Sequence, residues 1–170
     1  HSEGVGCLAA CLSGEVALWL RQQQGERAVE TAQWLAGLFG PERFFLEIQD
    51  HGIGEEDVVR KGMLQLGADL GLGVVATNDA HYLRREDAEA HDVLLAIGTG
   101  SDLDDPKRFR FTGTESYVKS EAEMRQLFGD VPETLELTQQ IADRCEFDFE
   151  QRYFLPSFPR PEGYASDDDL

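Results

Sequence analysis

Leu72-Gly73-Val74-Val75-Ala76-Thr77-Asn78-Asp79-Ala80-His81-Tyr82 is the stretch on which the fold turns. A helical pattern stops at the glycines before it, an apolar run of strand length follows, and Asp79 and His81 stand where that strand should end. Strand side chains alternate faces, so residues two apart look the same way and this carboxylate and imidazole can converge on one point. Asp-x-His at a strand end has the spacing of a metal-ligand pair, and a solvated aspartate beside a loop histidine has the same spacing. Position favours the first reading, because functional groups of parallel sheets gather beyond the carboxyl ends of the strands.

Upstream, Glu55-Glu56-Asp57 is an acidic first turn suited to a helix dipole, leading into Val58, Val59, Met63, Leu66 and Leu70, with Gly71 as the stop. Before it, Arg43 to Gln49 is aromatic and branched enough for a central strand. Alternation sends Phe44, Leu46 and Ile48 toward covering helices and Phe45, Glu47 and Gln49 to the other face. Glu47 there either orients a ligand or partners an arginine or the backbone. His51 lies in the loop at that strand's carboxyl end, as an active-site or a structural histidine. From Glu26 to Phe39, Val29, Ala32, Leu35, Ala36 and Phe39 form a helical stripe closed by Gly40-Pro41. Val5 to Ala10 reads as a buried strand, Cys11 as core residue or ligand at its end, and Val16 to Leu20 as a short helix. Strand, helix, helix, strand, helix, strand predicts a parallel sheet covered by helices, an α/β fold. Three strands are too few to close a barrel.

Downstream, Arg84 to Ala88 starts a helix carrying Ala90, Val93, Leu94 and Ile97, with His91 as a core or surface residue. Lys107, Arg108 and Arg110 form the dense basic cluster of the chain, suited to neutralising the preceding acidic loop or to approaching a phosphate. Ser120-Glu121-Ala122-Glu123 is a capping box, and Asp130-Val131-Pro132-Glu133 starts a last helix. From Tyr153 to Gly163 the chain is proline-rich, apolar and extended, in the manner of a linker.

The 170 residues suffice for one domain, and an apolar fraction of 41% with 28% charged residues is that of a folded, water-soluble chain. No apolar run approaches the ~20 residues of a bilayer crossing. The balance of 15 Lys+Arg against 33 Asp+Glu repels phosphate backbones unless a metal or a basic neighbour intervenes. Three cysteines without a short paired spacing point to a reducing, cytoplasmic compartment. A start at His1 rather than Met hints at a fragment or processed product.

Ser2-Glu3-Gly4 through Cys11-Leu12-Ser13-Gly14-Glu15, Phe45-Leu46-Glu47-Ile48-Gln49-Asp50-His51-Gly52, Ala76 to Tyr82, Leu103-Asp104-Asp105-Pro106, and Tyr153-Phe154-Leu155-Pro156-Ser157-Phe158-Pro159 occur in this order. Together they resemble the PHP (polymerase and histidinol phosphatase) domain of the alpha subunits of bacterial DNA polymerase III, over nearly the whole chain. The resemblance implies the C-terminal part of a distorted, seven-stranded β/α barrel in residues 1–115, a helical end in 116–150, and a linker toward the polymerase palm in 151–170. By position, Cys11 looks like the family's cysteine ligand, and Asp79 and His81 like its final Asp-x-His pair. Glu47 and His51 fall to a supporting or loop role. The early His-x-His ligands and the palm carboxylates are absent from this sequence.

The donor set suits zinc or manganese, with magnesium implied for the parent polymerase. The implied activity is DNA-directed DNA synthesis by the parent. The domain itself is implied to be a 3′-5′ proofreading exonuclease or to keep its metal as a structural staple, the isolated chain being inactive. Implied partners are the remainder of the alpha subunit, DNA through it, and exonuclease and clamp subunits, with no membrane. The alternatives are a non-catalytic scaffold docking an exonuclease subunit and a free-standing phosphatase. The proline-rich tail argues against the latter.

Overall fold

Residues 2–149, 151 and 152 are described by a computed structural model. The elements are β1 (Cys7–Leu8), α1 (Glu15–Arg21), α2 (Gly25–Phe39), β2 (Phe44–Ile48), α3 (Gly54–Leu70), β3 (Gly73–Ala76), α4 (Ala88–Thr99), α5 (Glu121–Leu127) and α6 (Glu133–Asp143), with a single 3-10 turn at Arg85–Asp87. The sheet order is β1-β2-β3, both pairings are parallel, and Leu46 lies opposite Val74 and Ile48 opposite Ala76. The α/β expectation is met. Among the described residues the sheet has three strands, extended only by a one-residue parallel bridge between Tyr82 and Tyr117.

Alternation along β2 sorts the molecule. Phe44, Leu46 and Ile48 enter a core shared with Val16 and Ala17 of α1, Ala28 and Ala32 of α2, and Val59, Met63 and Leu66 of α3. The α2 stripe faces this core, Ala32 buried and Val29, Leu35, Ala36 and Phe39 packed against it, while Trp34 looks outward. Gly67 brings α3 close to the sheet, since a Cβ there would meet Val74 Cγ2 at 2.5 Å and Leu72 O at 3.1 Å. Gly71 then takes the left-handed cap that turns α3 into β3. On the opposite face, Leu137 of α6 sits over Gly73, and the Arg144 guanidinium lies 5.9 Å from the Phe45 ring centre.

One expectation changes. The first strand is two residues long rather than six, because Gly4 and Ala10 take positive φ on either side and Val5 and Leu8 stay exposed. The apolar α4 residues Val93, Leu94 and Ile97 are exposed, since the main packing of that helix is against the 3-10 turn before it. The predicted linker falls, from residue 153 onward, outside the described residues.

Candidate metal centre at the sheet rim

Beyond the carboxyl ends of β2 and β3 the chain makes a ring of polar contacts. Glu47 is buried, and its Oε1 accepts from the Thr77 hydroxyl of the neighbouring strand end and from Gln49 Nε2 at 3.3 Å. Neutral donors hold it, rather than an arginine or the backbone. Burial first, and then the Glu47 charge, push the Cys7 thiol above its usual pKa, so Cys7 stays a core thiol.

His51 is a structural ion. Its Nδ1 lies 2.6 Å from Glu56 Oε1 and its Nε2 lies 2.8 Å from the Asn78 carbonyl. Both partners are acceptors, so both ring nitrogens carry protons and the ring is an imidazolium. Burial pushes the His51 pKa down, but the Glu56 hydrogen bond, the Asn78 carbonyl and the Glu56 charge together outweigh burial and an opposing Lys119, and the net direction is up. Burial pushes Glu56 up, and the His51 ring, the His51 amide, the His51 charge and the Ile53 amide carry it the other way, to a net fall. Both of its ring nitrogens are thus engaged by acceptors of the chain itself. His51 ties the start of α3 to the end of β3.

Asn78 continues the tie. Its Nδ2 donates to the carbonyls of Glu115 and Tyr117 at 2.9 and 2.7 Å, and its Oδ1 accepts from Lys119 Nζ at 3.0 Å. The Lys119 side chain is 3% exposed, held also by the Glu115 carbonyl and carboxylate and by the Tyr117 ring. With Asn78 fixed, Asp79 takes φ 39°, an uncommon conformation for a residue with a side chain, and the chain turns so that His81 N–H donates to Ser116 O at 2.8 Å. Asp79 Oδ1 and His81 Nε2 then stand 3.3 Å apart, each side chain about two-fifths exposed. The two groups do meet, though β3 stops at Ala76 and the turn at Asp79, not strand alternation, brings them together.

Cys11 lines, with Asp79, Gln49 and His51, a cleft of about 270 Å³ that Phe109, Arg110 and Phe111 also line. Phe111 stands edge-on to the rings of His81 and His91, at 4.6 and 5.0 Å between centres. Arg108 grips Asp92 of α4 with both terminal nitrogens and the Leu103 carbonyl with Nε, so the basic cluster serves largely to fasten its own loop. Among the described residues no three His, Cys, Asp or Glu side chains are spaced to hold one ion. The Asp79/His81 pair does fit part of a coordination sphere: a carboxylate oxygen and an imidazole nitrogen stand adjacent, and Asp79 lines the cleft.

Sequence reasoning missed Glu56, Asn78 and Lys119. Glu56 carried a readable signal, since it stands three residues after Ile53 at a helix start and accepts the Ile53 amide. Asn78 and Lys119 join through partners about forty residues away, which local patterns do not announce.

Residues 1–51 match the family model described as PHP domain. Along nearly its whole length the chain is similar to proteins named DNA polymerase III subunit alpha. It is 40% identical to that of Treponema pallidum over 98% of this chain, 42% to that of Mycobacterium tuberculosis over 96%, and 41% to that of Thermus aquaticus over 96%. In each case it spans 14% of the relative's own length. No helix of the described residues is long and apolar enough to cross a membrane.

Proposed function

The chain is homologous to DNA polymerase III alpha subunits over the segment it covers, and from that premise we propose that it supplies one rim of a PHP metal centre within a replicative DNA polymerase. In this reading residues 1–115 are the second half of the PHP barrel, 116–150 its helical end and 151–170 the link toward the palm. The parent protein carries out DNA-directed DNA synthesis with magnesium at carboxylates outside this chain. Its partners are the remainder of the alpha subunit, DNA, and the exonuclease and clamp subunits.

The observation that supports the reading is the Asp79–His81 contact of 3.3 Å on a cleft that Cys11 also lines. Asp79 and His81 would supply part of the sphere of a zinc or manganese ion, with Cys11 on the same cleft and further donors from the rest of the protein. A divalent ion there supplies Lewis acidity toward a phosphoryl oxygen and acidifies water toward neutral pKa. The chain's own residues do the positioning. Asn78, locked by His51 and Lys119, sets the turn that presents Asp79, and Phe111 holds the His81 ring by its edge. The reaction proposed is hydrolysis of the 3′-terminal phosphodiester of single-stranded DNA.

A scaffold role is the second reading, favoured by the lack of three converging metal-binding side chains among the described residues. The test is the double substitution Asp79→Ala, His81→Ala in the full-length protein, reading bound metal by elemental analysis and release of the 3′ nucleotide from a labelled oligonucleotide. The expected result is loss of bound ion and a fall in 3′ release of roughly a hundredfold or more. Unchanged metal content and unchanged 3′ release would leave only the scaffold.

A further inference from the structure

Besides Cys11 and Asp79, the cleft is lined by three consecutive residues, Phe109, Arg110 and Phe111, the first two of which the metal chemistry does not use. We propose that this wall is the nucleotide-binding subsite of the rim, with Phe109 the stacking platform for a DNA base and Arg110 the contact for its phosphate. The proposal deepens the exonuclease reading and rests on it for the identity of the ligand.

Phe111 is not available as the platform, because it is wedged edge-on against His81 and His91. Phe109 continues the row, its ring perpendicular to that of Phe111 at 5.8 Å between centres, and it is 59% exposed. A row of rings thus runs from a candidate ligand, His81, outward to an aromatic side chain that is open to solvent. An exposed phenylalanine lining a cleft offers a flat ring that any base can cover. Arg110 adds the charge. Asp92 is shared by two guanidinium groups, but Arg108 takes it with two hydrogen bonds while Arg110 reaches only Oδ2, at 3.6 Å, with 64% of its side chain exposed. Arg110 can therefore turn to a phosphate without leaving the partly buried Asp92 carboxylate unpaired. The Arg108 grip on α4 and on the Leu103 carbonyl fixes the segment that carries the wall. A cleft of about 270 Å³ lies near the roughly 300 Å³ lower bound of small-molecule sites, the size for one nucleotide rather than a duplex. In a chain with a formal charge of −18, a phosphate needs such a local cation to enter.

The test places a reporter at the platform. In the full-length protein carrying Phe109→Trp, with metal removed by chelator so that nothing is hydrolysed, a thymidine trinucleotide should quench the added tryptophan saturably, beyond any change in the unsubstituted protein. Deoxyribose phosphate, which lacks the base, should not. Adding Arg110→Gln should make the salt dependence of binding shallower by about one phosphate contact, a log–log slope change of roughly 0.7. As a second measurement on unsubstituted protein, a trinucleotide ending in iododeoxyuridine should photocrosslink within residues 109–111, and Phe109→Leu should abolish that adduct. Absence of added quenching, equal quenching by the baseless phosphate, or adducts mapping elsewhere would overturn the proposal. Because these readings are taken without metal, they stand or fall apart from hydrolysis. Loss of 3′ release with quenching intact would defeat the exonuclease reading alone, and 3′ release without quenching would defeat the subsite alone.

Discussion

Replacing Glu56 by alanine should be the most damaging single polar substitution at the rim. The side chain accepts from the His51 ring and amide and from the Ile53 amide, and both members of the pair are buried at 6–7% side-chain exposure. Truncation leaves an imidazolium without its counter-charge and two amides without their acceptor. Breaking a buried ion pair in this way costs about 3–5 kcal/mol. With a urea m-value of about 2 kcal/mol/M for a small domain, the lower figure moves the unfolding midpoint of the chain down by about 1.5 M. Glu56→Gln should cost far less, because its amide can donate to a neutral His51 Nδ1 while its oxygen keeps a backbone donor.

The pair also dictates a pH signature. Folding raises the His51 pKa above its ordinary 6.5, so its share of stability is whole below that value and fades as pH rises through the raised one. Folding lowers Glu56 below its ordinary 4.5, so its share is whole above that value and fades as pH falls through the lowered one. Both are complete between about 4.5 and 6.5. The gap between the parent chain and Glu56→Ala, followed by Trp19 and Trp34 fluorescence in urea, should therefore be widest in that window and narrow in alkali. A midpoint shift under about 0.3 M, or a gap that ignores pH, would refute the ion-pair account.

Two further outcomes test packing and the loop. Gly67→Ala should destabilise by about 1–3 kcal/mol in the same urea assay, since the clash at Val74 Cγ2 outweighs the ~1 kcal/mol helix-propensity gain; an equal or higher midpoint would contradict the close approach of α3 to the sheet. Arg108→Lys cannot reproduce the two-nitrogen grip on Asp92, so amide exchange across residues 102–110 should accelerate while β2 is unaffected, and unchanged exchange in the loop would refute the clasp.

What could be read without coordinates was the part governed by periodicity. Alternation placed Phe44, Leu46 and Ile48 on the helix side of β2, the α2 stripe found its core, and the Ser120 box caps α5 through the Glu123 amide. At the rim, periodicity ran out. Spacing brought Asp79 and His81 together for a reason that does not operate, because their contact is made by a left-handed turn held from Asn78. His51 was left open between two roles, and one of its two partners, the Asn78 carbonyl, lies 27 positions away, beyond the reach of local pattern. The exposed apolar face of α4 was unreadable for the converse reason: a stripe says which side is greasy and not whether anything lies against it.

The three-stranded sheet has a practical corollary for handling the protein. Among the described residues β1 and β3 each bond to β2 alone, so two margins of the sheet carry backbone groups without a strand neighbour. Recoverable yield after dilution, more than melting temperature, is then the gauge of whether those margins have found company. A two-piece reconstitution, in which a separately produced adjoining polypeptide is added during refolding, should rescue material that otherwise precipitates.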